Sequence, residues 1–143
     1  MHKYANNNTS LSLLDVFRVV SDPTRFRIVK LLSEVEWLYV CEIRDILEMP
    51  FYAISRHLKE LKIGGLVSEE KEGRFVKYSL IKGSSPAETK LWELISVVED
   101  EITHKDRENR KKRLSLRDDS GCSLCENSPQ DITFIKDKKR RKP

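Results

Sequence analysis

The sequence predicts a mostly helical domain with one small β-hairpin, in the element order α-α-α-α-β-β-α. Four segments with the apolar spacing of helices come first, within residues 11–63. Two short segments follow, joined around Glu72 and Gly73, and in the second one Val76, Tyr78 and Leu80 alternate with polar residues, as a strand requires. A last helix is predicted from about residue 87 to residue 104, because apolar residues recur there at helical spacing.

Prolines and glycines mark where the predicted helices begin and end. The first helix closes at residues 21–23, because Pro23 cannot continue it, and Asp22 with Pro23 then suits the start of the second helix. A brief third helix runs from about residue 40 to residue 47. The fourth helix, over residues 50–63, ends at Gly64 and Gly65, since glycine adopts a left-handed conformation without steric cost.

Charge divides the chain into a folded domain and a tail. The net charge is +4, and residues 105–143 supply the excess of basic side chains, whereas residues 1–104 are slightly acidic. Residues 1–10 are polar and lack periodicity, so we expect a disordered N-terminus. We predict one folded domain over residues 11–104, followed by a basic and largely flexible tail, apart from a helical extension and a Cys-x-x-Cys pair.

Several classes of protein are not predicted. No apolar stretch approaches the roughly 18 to 20 residues that span a bilayer, and no hydrophobic signal segment opens the chain. The small, odd number of cysteines argues against a secreted disulfide scaffold. We therefore expect a cytoplasmic protein without a membrane partner. The scattered histidines and the lack of a phosphate-binding glycine loop or a nucleophile elbow predict that the chain is not an enzyme.

The fourth predicted helix has two different faces. Apolar residues at i, i+4 and i+7 on one face anchor it to a core, while the second face is polar and partly basic. A helix that is anchored on one side and presents hydrogen-bond donors on the other can enter the major groove of DNA. The alternative is that this face is only the solvated side of an amphipathic helix. The side chains that we predict to contact DNA are Tyr52, Ser55, Arg56 and Lys59.

The hairpin favours DNA binding over a merely solvated helix face. A β-hairpin beside such a helix can lay basic residues along the backbone or in the minor groove, where negative potential attracts arginine. Lys71, Arg74 and Lys77 would supply this wing. Together, the elements predict a winged helix-turn-helix that binds DNA. Two alternatives stay open: a DNA-binding module without an effector, and an adaptor that uses the fold only as a scaffold.

Five blocks of sequence between Leu11 and Ile102 occur in a fixed order: SDPTRFRI at 21–28, VCEI at 40–43, ISRHLKEL at 54–61, GLV at 65–67 and EGRFVKY at 72–78. Together, these blocks resemble the ArsR/SmtB family of metal-responsive repressors. The resemblance implies a homodimer, paired through its first and last helices, that binds an inverted repeat in double-stranded DNA and releases it when an inducer binds. The DNA-reading positions that it implies are Tyr52, Ala53, Ser55, Arg56 and Lys59, with Arg74 in the wing.

The chain departs from the family pattern in three places. Pro50-Phe51-Tyr52 opens the fourth helix where relatives have small polar residues, so the operator sequence is not predicted, and Phe51 is expected to pack inward. His57 is predicted to pack beside Leu58 rather than to read a base. Residues 39–41 hold one cysteine where many relatives carry two around a valine, and residues 99–104 do not reproduce the family's zinc site on the last helix.

Cys41, Cys122 and Cys125 form the predicted inducer site. Two cysteines separated by two residues grip a soft ion or close into a disulfide, and Cys41 would complete three thiolates. Arsenic(III) and antimony(III) favour that set, and soft thiolates also take cadmium, lead or copper(I). Fully extended, the chain from His104 to Cys122 spans up to about 60 Å, enough to reach Cys41 of either subunit.

Binding at Cys41 would strain the helix that precedes the DNA-reading helix, and a preference of a few kcal/mol for the DNA-incompetent state shifts the population about a hundredfold. No cofactor is required for DNA binding itself. Two alternatives stay open for the cysteines. The tail pair is a redox switch, or Cys41 is only a small buried hydrophobic residue and the pair is incidental.

Overall fold

The computed structural model describes residues 13–82 and 85–117, which form six helices and a small sheet. The predicted disordered N-terminus at residues 1–10 and the tail from residue 118 onward, with Cys122 and Cys125, lie outside the described residues. The elements in chain order are α1 (Leu13–Val20), α2 (Pro23–Ser33), β1 (Leu38–Tyr39), α3 (Val40–Leu47), α4 (Phe51–Ile63), β2 (Val67–Glu72), β3 (Phe75–Leu80), α5 (Pro86–Val97) and α6 (Glu101–Leu114).

The predicted helix boundaries follow from capping. Asp22 has an extended backbone, and its carboxylate accepts hydrogen bonds of 3.0 Å from the backbone N–H groups of Thr24 and Arg25. These bonds satisfy two of the donors that a helix leaves free at its start. α4 ends at Gly64, and Gly65 then takes a φ of 78°, which favours glycine over any residue with a Cβ.

The hydrophobic core lies where α2, α3 and α4 meet the sheet and α5. The helix-turn-helix consists of α3 and α4, joined at Glu48, whose φ of 56° is the left-handed conformation that turns the chain between them. α4 buries its apolar face in this core, so its orientation is fixed by packing. The core side chains with no exposed surface include Val16, Ile28, Leu32, Ile43, Ile54, Leu58 and Leu61.

The β-hairpin is the wing, and it belongs to a three-stranded antiparallel sheet in the order β1-β3-β2. The β2–β3 hairpin closes at the predicted place, with Glu72 opposite Phe75 and Gly73 at a φ of 64° in the turn. The sequence did not predict β1, because two residues are too short to show alternation. β1 pairs Leu38 with Tyr78 and thereby ties the root of the wing to the start of α3.

The last predicted helix is two helices in the structure. Val98 is extended, with a ψ of 125°, and ends α5, so one continuous helix from residue 87 to residue 104 is wrong. Asp100 then starts α6: its carboxylate accepts from the Thr103 N–H at 2.8 Å, and the Thr103 hydroxyl accepts from the Asp100 N–H at 2.8 Å. This reciprocal cap fixes a new helix start, although the apolar spacing runs on across the break.

α6 continues the fold beyond residue 104, where the sequence placed the end of the folded domain. It lies across α2 and α3, and within the described residues it is held mainly by ion pairs, while Leu114 at its end packs against the core. Arg27 donates two hydrogen bonds to Asp106, of 2.9 and 2.8 Å, and the Asp106 carboxylate is buried. Arg113 donates to Asp45 at 2.8 Å. Residues 101–114 therefore form one helix that packs on the domain, and its part beyond residue 104 lies where the helical extension was predicted.

Length and polarity of the helices also bear on membranes. Among residues 13–82 and 85–117, no helix combines the length with the apolar character needed to cross a bilayer.

Candidate nucleic-acid interface

The outer face of α4 carries the predicted DNA-contacting side chains. Tyr52 stands in the first turn with 71% of its surface exposed, and Ser55, Arg56 and Lys59 follow as exposed residues on the same helix. The opposite face is anchored, since Ile54, Leu58 and Leu61 have no exposed surface. A rigidly held helix with a free polar face is the geometry that a reading helix needs.

Ala53 does not belong to this face. Only 9% of its surface is exposed, and it lies on the inner side of α4 beside Ile54. The prediction that Ala53 contacts DNA is therefore not supported by its position. Helical geometry explains the difference, because residues 52, 55, 56 and 59 cluster around one side of the helix, and residue 53 points away from them toward the core.

His57 and Phe51 take up the packing positions that we predicted. Phe51 is half-buried and packs against the core. The His57 Nδ1 atom is buried without a hydrogen bond, 3.7 Å from a carboxylate oxygen of Asp22. Burial raises the pKa of Asp22, but the hydrogen bond from the Arg25 N–H and the nearby His57 and Arg25 outweigh burial, so the pKa lies below its usual value.

The wing presents one basic residue at its tip. Arg74 is exposed in the turn between β2 and β3. Lys71, three residues earlier on β2, is exposed as well. Both positions are free to approach a DNA backbone that runs past the hairpin. The tip of the wing therefore matches the prediction for Lys71 and Arg74 in exposure.

Lys77 is used inside the protein instead. Its Nζ atom lies 2.7 Å from a carboxylate oxygen of Glu72 and 4.2 Å from the ring centroid of Trp37, and only 21% of the side chain is exposed. The hydrogen bond to Glu72 raises the pKa of Lys77. Alternation along β3 causes this placement, because Lys77 faces away from buried Tyr78 and toward Trp37. Lys77 therefore contacts Glu72 and Trp37 at the root of the wing, and its contact with DNA stays a prediction.

Among the described residues, the predicted interface carries cations that form no ion pair. Arg27, Arg44, Arg107, Arg110, Arg113 and Arg117 are all paired with carboxylates. In the part of the chain that the structure describes, Arg56, Lys59 and Arg74 have no such ion pair. Unpaired cations on an exposed face attract a polyanion, and phosphate contacts supply much of the affinity for DNA.

Comparison with known proteins identifies the family of the chain. The model of the "Bacterial regulatory protein, arsR family" matches residues 22–69, which run from the cap of α2 into β2. An HTH-type transcriptional regulator of Methanocaldococcus jannaschii is 42% identical over 67 residues, which are 47% of this chain and 75% of that protein. The chain belongs to the ArsR family. Because the family consists of regulatory proteins, the chain is a regulator and not an enzyme.

Two further comparisons cover sequence and structure. The arsenical resistance operon repressor of Escherichia coli is 40% identical over 67 residues, and the matched part is 47% of this chain and 57% of the repressor. The chain thus spans a little over half of that relative's length. Reduced HlyU from Vibrio cholerae superposes with a TM-score of 0.51 at 30% identity, over 58% of this chain and 83% of HlyU. The winged helix-turn-helix fold is confirmed.

Cys41, the one described member of the predicted inducer site, lies in the first turn of α3. It is 2% exposed and packs with Tyr39, while Trp37 and Phe75 cover both from outside. Cys41 is disulfide-bonded. Within the described ranges, no group of three or more His, Cys, Asp and Glu side chains is arranged to hold a metal ion.

Arg117 is the residue near Cys41 that the sequence analysis missed. It follows α6, and its guanidinium donates to both carboxylate oxygens of Glu42 at 2.7 Å. The same guanidinium lies 3.8 Å from the ring centroid of Trp37. Nothing in the sequence distinguishes Arg117 from the other basic residues of its region, because its partners are about eighty residues away in the chain. Arg117 therefore attaches the chain that follows α6 to the residues around Cys41.

Proposed function

We propose that this ArsR-family chain is a homodimeric transcriptional repressor that binds an inverted-repeat operator and leaves it when a thiophilic metal or metalloid binds Cys41, Cys122 and Cys125. The observation that carries DNA binding is the set of unpaired cations on the exposed side of α4 and at the wing tip. In a protein whose other arginines are so widely paired, these cations are available to phosphates and base edges.

DNA contact divides between α4 and the wing. Arg56 and Lys59 extend from the middle of α4 into the major groove, where arginine donates two hydrogen bonds to guanine. Tyr52 and Ser55 contact the same groove near the start of the helix. Arg74 reaches the backbone or the minor groove from the wing tip. In this assignment Ala53 supports α4 from within the core.

Exposed apolar side chains on α1 and α5 support a homodimer. Leu14 and Val97 are 72% and 68% exposed, and Phe17 and Leu94 are also exposed on these two helices. Apolar patches of this kind mark association surfaces. A second copy packed through the first and last helices of the family domain would cover them. To read an inverted repeat, the two α4 helices of this dimer would need to lie about 34 Å apart.

The anchored position of Arg117 supports the three-cysteine inducer site. Cys122 follows Arg117 by five residues, a length that spans at most about 17 Å. Because Arg117 itself contacts Glu42, the residue next to Cys41, a chain that continues from Arg117 has Cys41 within reach. The relative from Escherichia coli is named for arsenical resistance, which agrees with the preference of arsenic(III) for three thiolates. DNA binding needs no cofactor in this proposal.

A thiol-redox sensor is the second candidate, and the disulfide bond at Cys41 favours it. Closing a disulfide takes two protons and two electrons from two thiols, and a peroxide accepts them and is reduced to water. Both candidates use the same sulfur atoms, so the inducing chemical distinguishes them.

The experiment is a titration of the reduced, full-length protein on a labelled duplex from the region upstream of its own gene. Each titration is repeated with arsenite, antimonite, cadmium, zinc and peroxide, and with the C41S, C122S, C125S triple variant as control. Release by arsenite, antimonite or cadmium that the triple variant abolishes supports metal or metalloid sensing. Release by peroxide alone, reversed by a thiol reductant, supports redox sensing. Release that persists in the triple variant contradicts both.

DNA reading is tested separately with single variants of α4. Arg56→Ala is expected to weaken operator binding by a factor on the order of 10 to 100 and to relax the sequence preference, because a base contact is lost. Glu60→Ala, on the half-buried side of the same helix, is the control. If Arg56→Ala and Lys59→Ala both bind every duplex as tightly as the wild type, α4 is not the reading helix.

A further inference from the structure

The wing root contains an aromatic cluster that encloses Cys41. The ring centroid of Tyr39 lies 4.8 Å from that of Trp37 and 5.0 Å from that of Phe75, so the three rings form a continuous contact from β1 to β3. Cys41 packs with buried Tyr39 inside this cluster. We call Trp37, Tyr39 and Phe75 the wing-root cluster.

Two cations from distant parts of the chain contact Trp37. Lys77 comes from β3 and Arg117 from the segment after α6, with distances of 4.2 and 3.8 Å to the ring centroid. Arg117 is held in place by Glu42, whose side chain has no exposed surface and also accepts the Tyr39 N–H at 2.9 Å. Because an unpaired carboxylate in a buried place is costly, Glu42 requires the guanidinium of Arg117.

The wing-root cluster also forms a hydrogen bond to a residue that flanks the turn of the wing. The Tyr39 hydroxyl donates to a carboxylate oxygen of Glu72 at 3.3 Å, and Lys77 pairs with the same carboxylate group. Glu72 and Phe75 face each other across the hairpin and flank the turn that holds Arg74. Direct contacts therefore run from Arg117 through Trp37 and Tyr39 to the base of the turn at the wing tip.

We propose that Arg117 is a positioning residue for the wing: it holds Trp37 and Glu42, and through the wing-root cluster it fixes the orientation in which Arg74 meets DNA. The proposal rests on the proposed function, in which Arg74 contacts the operator. It adds a route from the end of α6 to the wing that does not pass through α4. Arg117 itself does not touch DNA in this proposal.

The test is a double-mutant cycle on operator binding by the full-length protein. Arg117→Ala is expected to weaken binding by about 3- to 10-fold, which lies between the values for an exposed and a desolvated cation–π contact. Arg117→Lys keeps the charge but not the paired hydrogen bonds to Glu42, so its loss is intermediate. Lys112→Ala, which removes an exposed cation of α6, is the matched control and is expected to bind as the wild type does.

The Arg74→Ala background decides how Arg117 acts. If Arg117 works through the wing, Arg117→Ala has no further effect once Arg74 is alanine, and the dependence of binding on salt keeps the slope of the Arg74→Ala protein. A full additional loss in that background, or a slope that falls by about one phosphate contact, overturns the proposal in favour of a direct contact between Arg117 and DNA.

Hydrogen exchange of the DNA-free protein separates this inference from the proposed function. Backbone amides of residues 67–80 are expected to exchange faster in Arg117→Ala than in Lys112→Ala, with unchanged exchange in the α4 core. Equal protection of the hairpin in the two variants overturns the positioning role. If Arg74→Ala leaves DNA binding intact, the proposed wing contact fails, while the exchange rates still decide whether Arg117 orders the wing.

Discussion

At the scale of single residues, three carboxylates illustrate how one chemical group takes different roles. Asp22 caps α2 in a partly exposed place, Glu42 caps α3 in a fully buried one, and Asp106 neutralises an arginine between two helices. Each carboxylate is matched to donors in its surroundings, which is why buried charge is tolerated here. The stability that is lost when one of these carboxylates is replaced depends on how many donors lose their acceptor and on how deeply those donors are buried.

The cap of α2 provides a residue-scale prediction. Asp22→Ala is expected to lower the free energy of unfolding by about 1 kcal/mol, whereas Asp22→Asn keeps most of the cap. Because the pKa of Asp22 lies below its unfolded value of 3.8, the advantage of the wild type over Asp22→Asn is present above that pH. It is lost as the pH falls through the folded pKa. Urea unfolding from pH 7 to pH 3 measures it, and a pH-independent difference would contradict the assignment.

A second residue-scale prediction concerns the pair of Arg27 and Asp106. Asp106→Ala is expected to destabilise the protein by about 2 kcal/mol, between the values for surface and buried pairs, because Arg27 is left partly buried without its partner. The double variant Arg27→Met, Asp106→Leu is expected to recover most of the loss, since it removes both charges. Chemical denaturation of the two variants and the wild type provides the comparison, and equal losses in both would show that the charges themselves stabilise the contact.

At the scale of elements, the turn between α3 and α4 carries local backbone strain. Glu48 holds a φ of 56° without being glycine, and its side chain pairs with exposed Lys105 at 2.9 Å. A side chain in the left-handed region costs roughly 1 kcal/mol. The pair with Lys105 contributes little to stability because both groups are exposed. The helix-turn-helix therefore contains a position that is not optimised for stability.

Relief of this strain is the element-scale prediction. Glu48→Gly is expected to raise the free energy of unfolding by about 0.5 kcal/mol, after the greater entropy of glycine in the unfolded chain is offset. Glu48→Ala keeps the strain and removes the ion pair, so it serves as the control and is expected to be neutral or slightly destabilising. Thermal melts compare them; a melting temperature of Glu48→Gly below that of Glu48→Ala would show that the turn is not strained.

At the scale of the whole molecule, the exposed apolar side chains of α1 and α5 form the surface that we propose for a homodimer. Leu94→Glu places a charge at the proposed dimer surface while it leaves the buried side of α5 intact. The variant is expected to sediment as a monomer and to bind a single half-site only weakly, because it loses the second reading helix. Leu116→Glu, an exposed leucine outside α1 and α5, is the control. Sedimentation of Leu94→Glu as a dimer would place the interface elsewhere.

Much of the fold was predictable because local signals mark it. Asp22 with Pro23, the two glycines after α4 and the turn at Gly73 define element ends through backbone chemistry that acts over a few residues. The break at Val98 was not predicted, because apolar spacing continues across it. The docking of α6 was not predicted either, since Arg27 and Asp106 are far apart in the chain and charged residues show no periodic pattern when they pair.

The candidate site was predictable to the same extent. Helical spacing correctly placed Tyr52, Arg56 and Lys59 on one exposed side of α4. Ala53 was included by resemblance alone, and its burial depends on the tertiary packing of α4. Lys77 was assigned to the wing by its charge, but its surroundings include Trp37, which reaches it only through the pairing of β1 with β3. Pairing between distant strands is not encoded in local pattern.

The attachment of α6 by charges has a consequence for how the protein responds to its environment. Dissolved ions screen buried and partly buried charge pairs only weakly, and warming lowers the cost of desolvating ions. The pairs of Arg27 with Asp106 and of Arg113 with Asp45 are largely shielded from solvent. α6 is therefore expected to stay attached in concentrated salt and on heating, until the hydrophobic core itself unfolds.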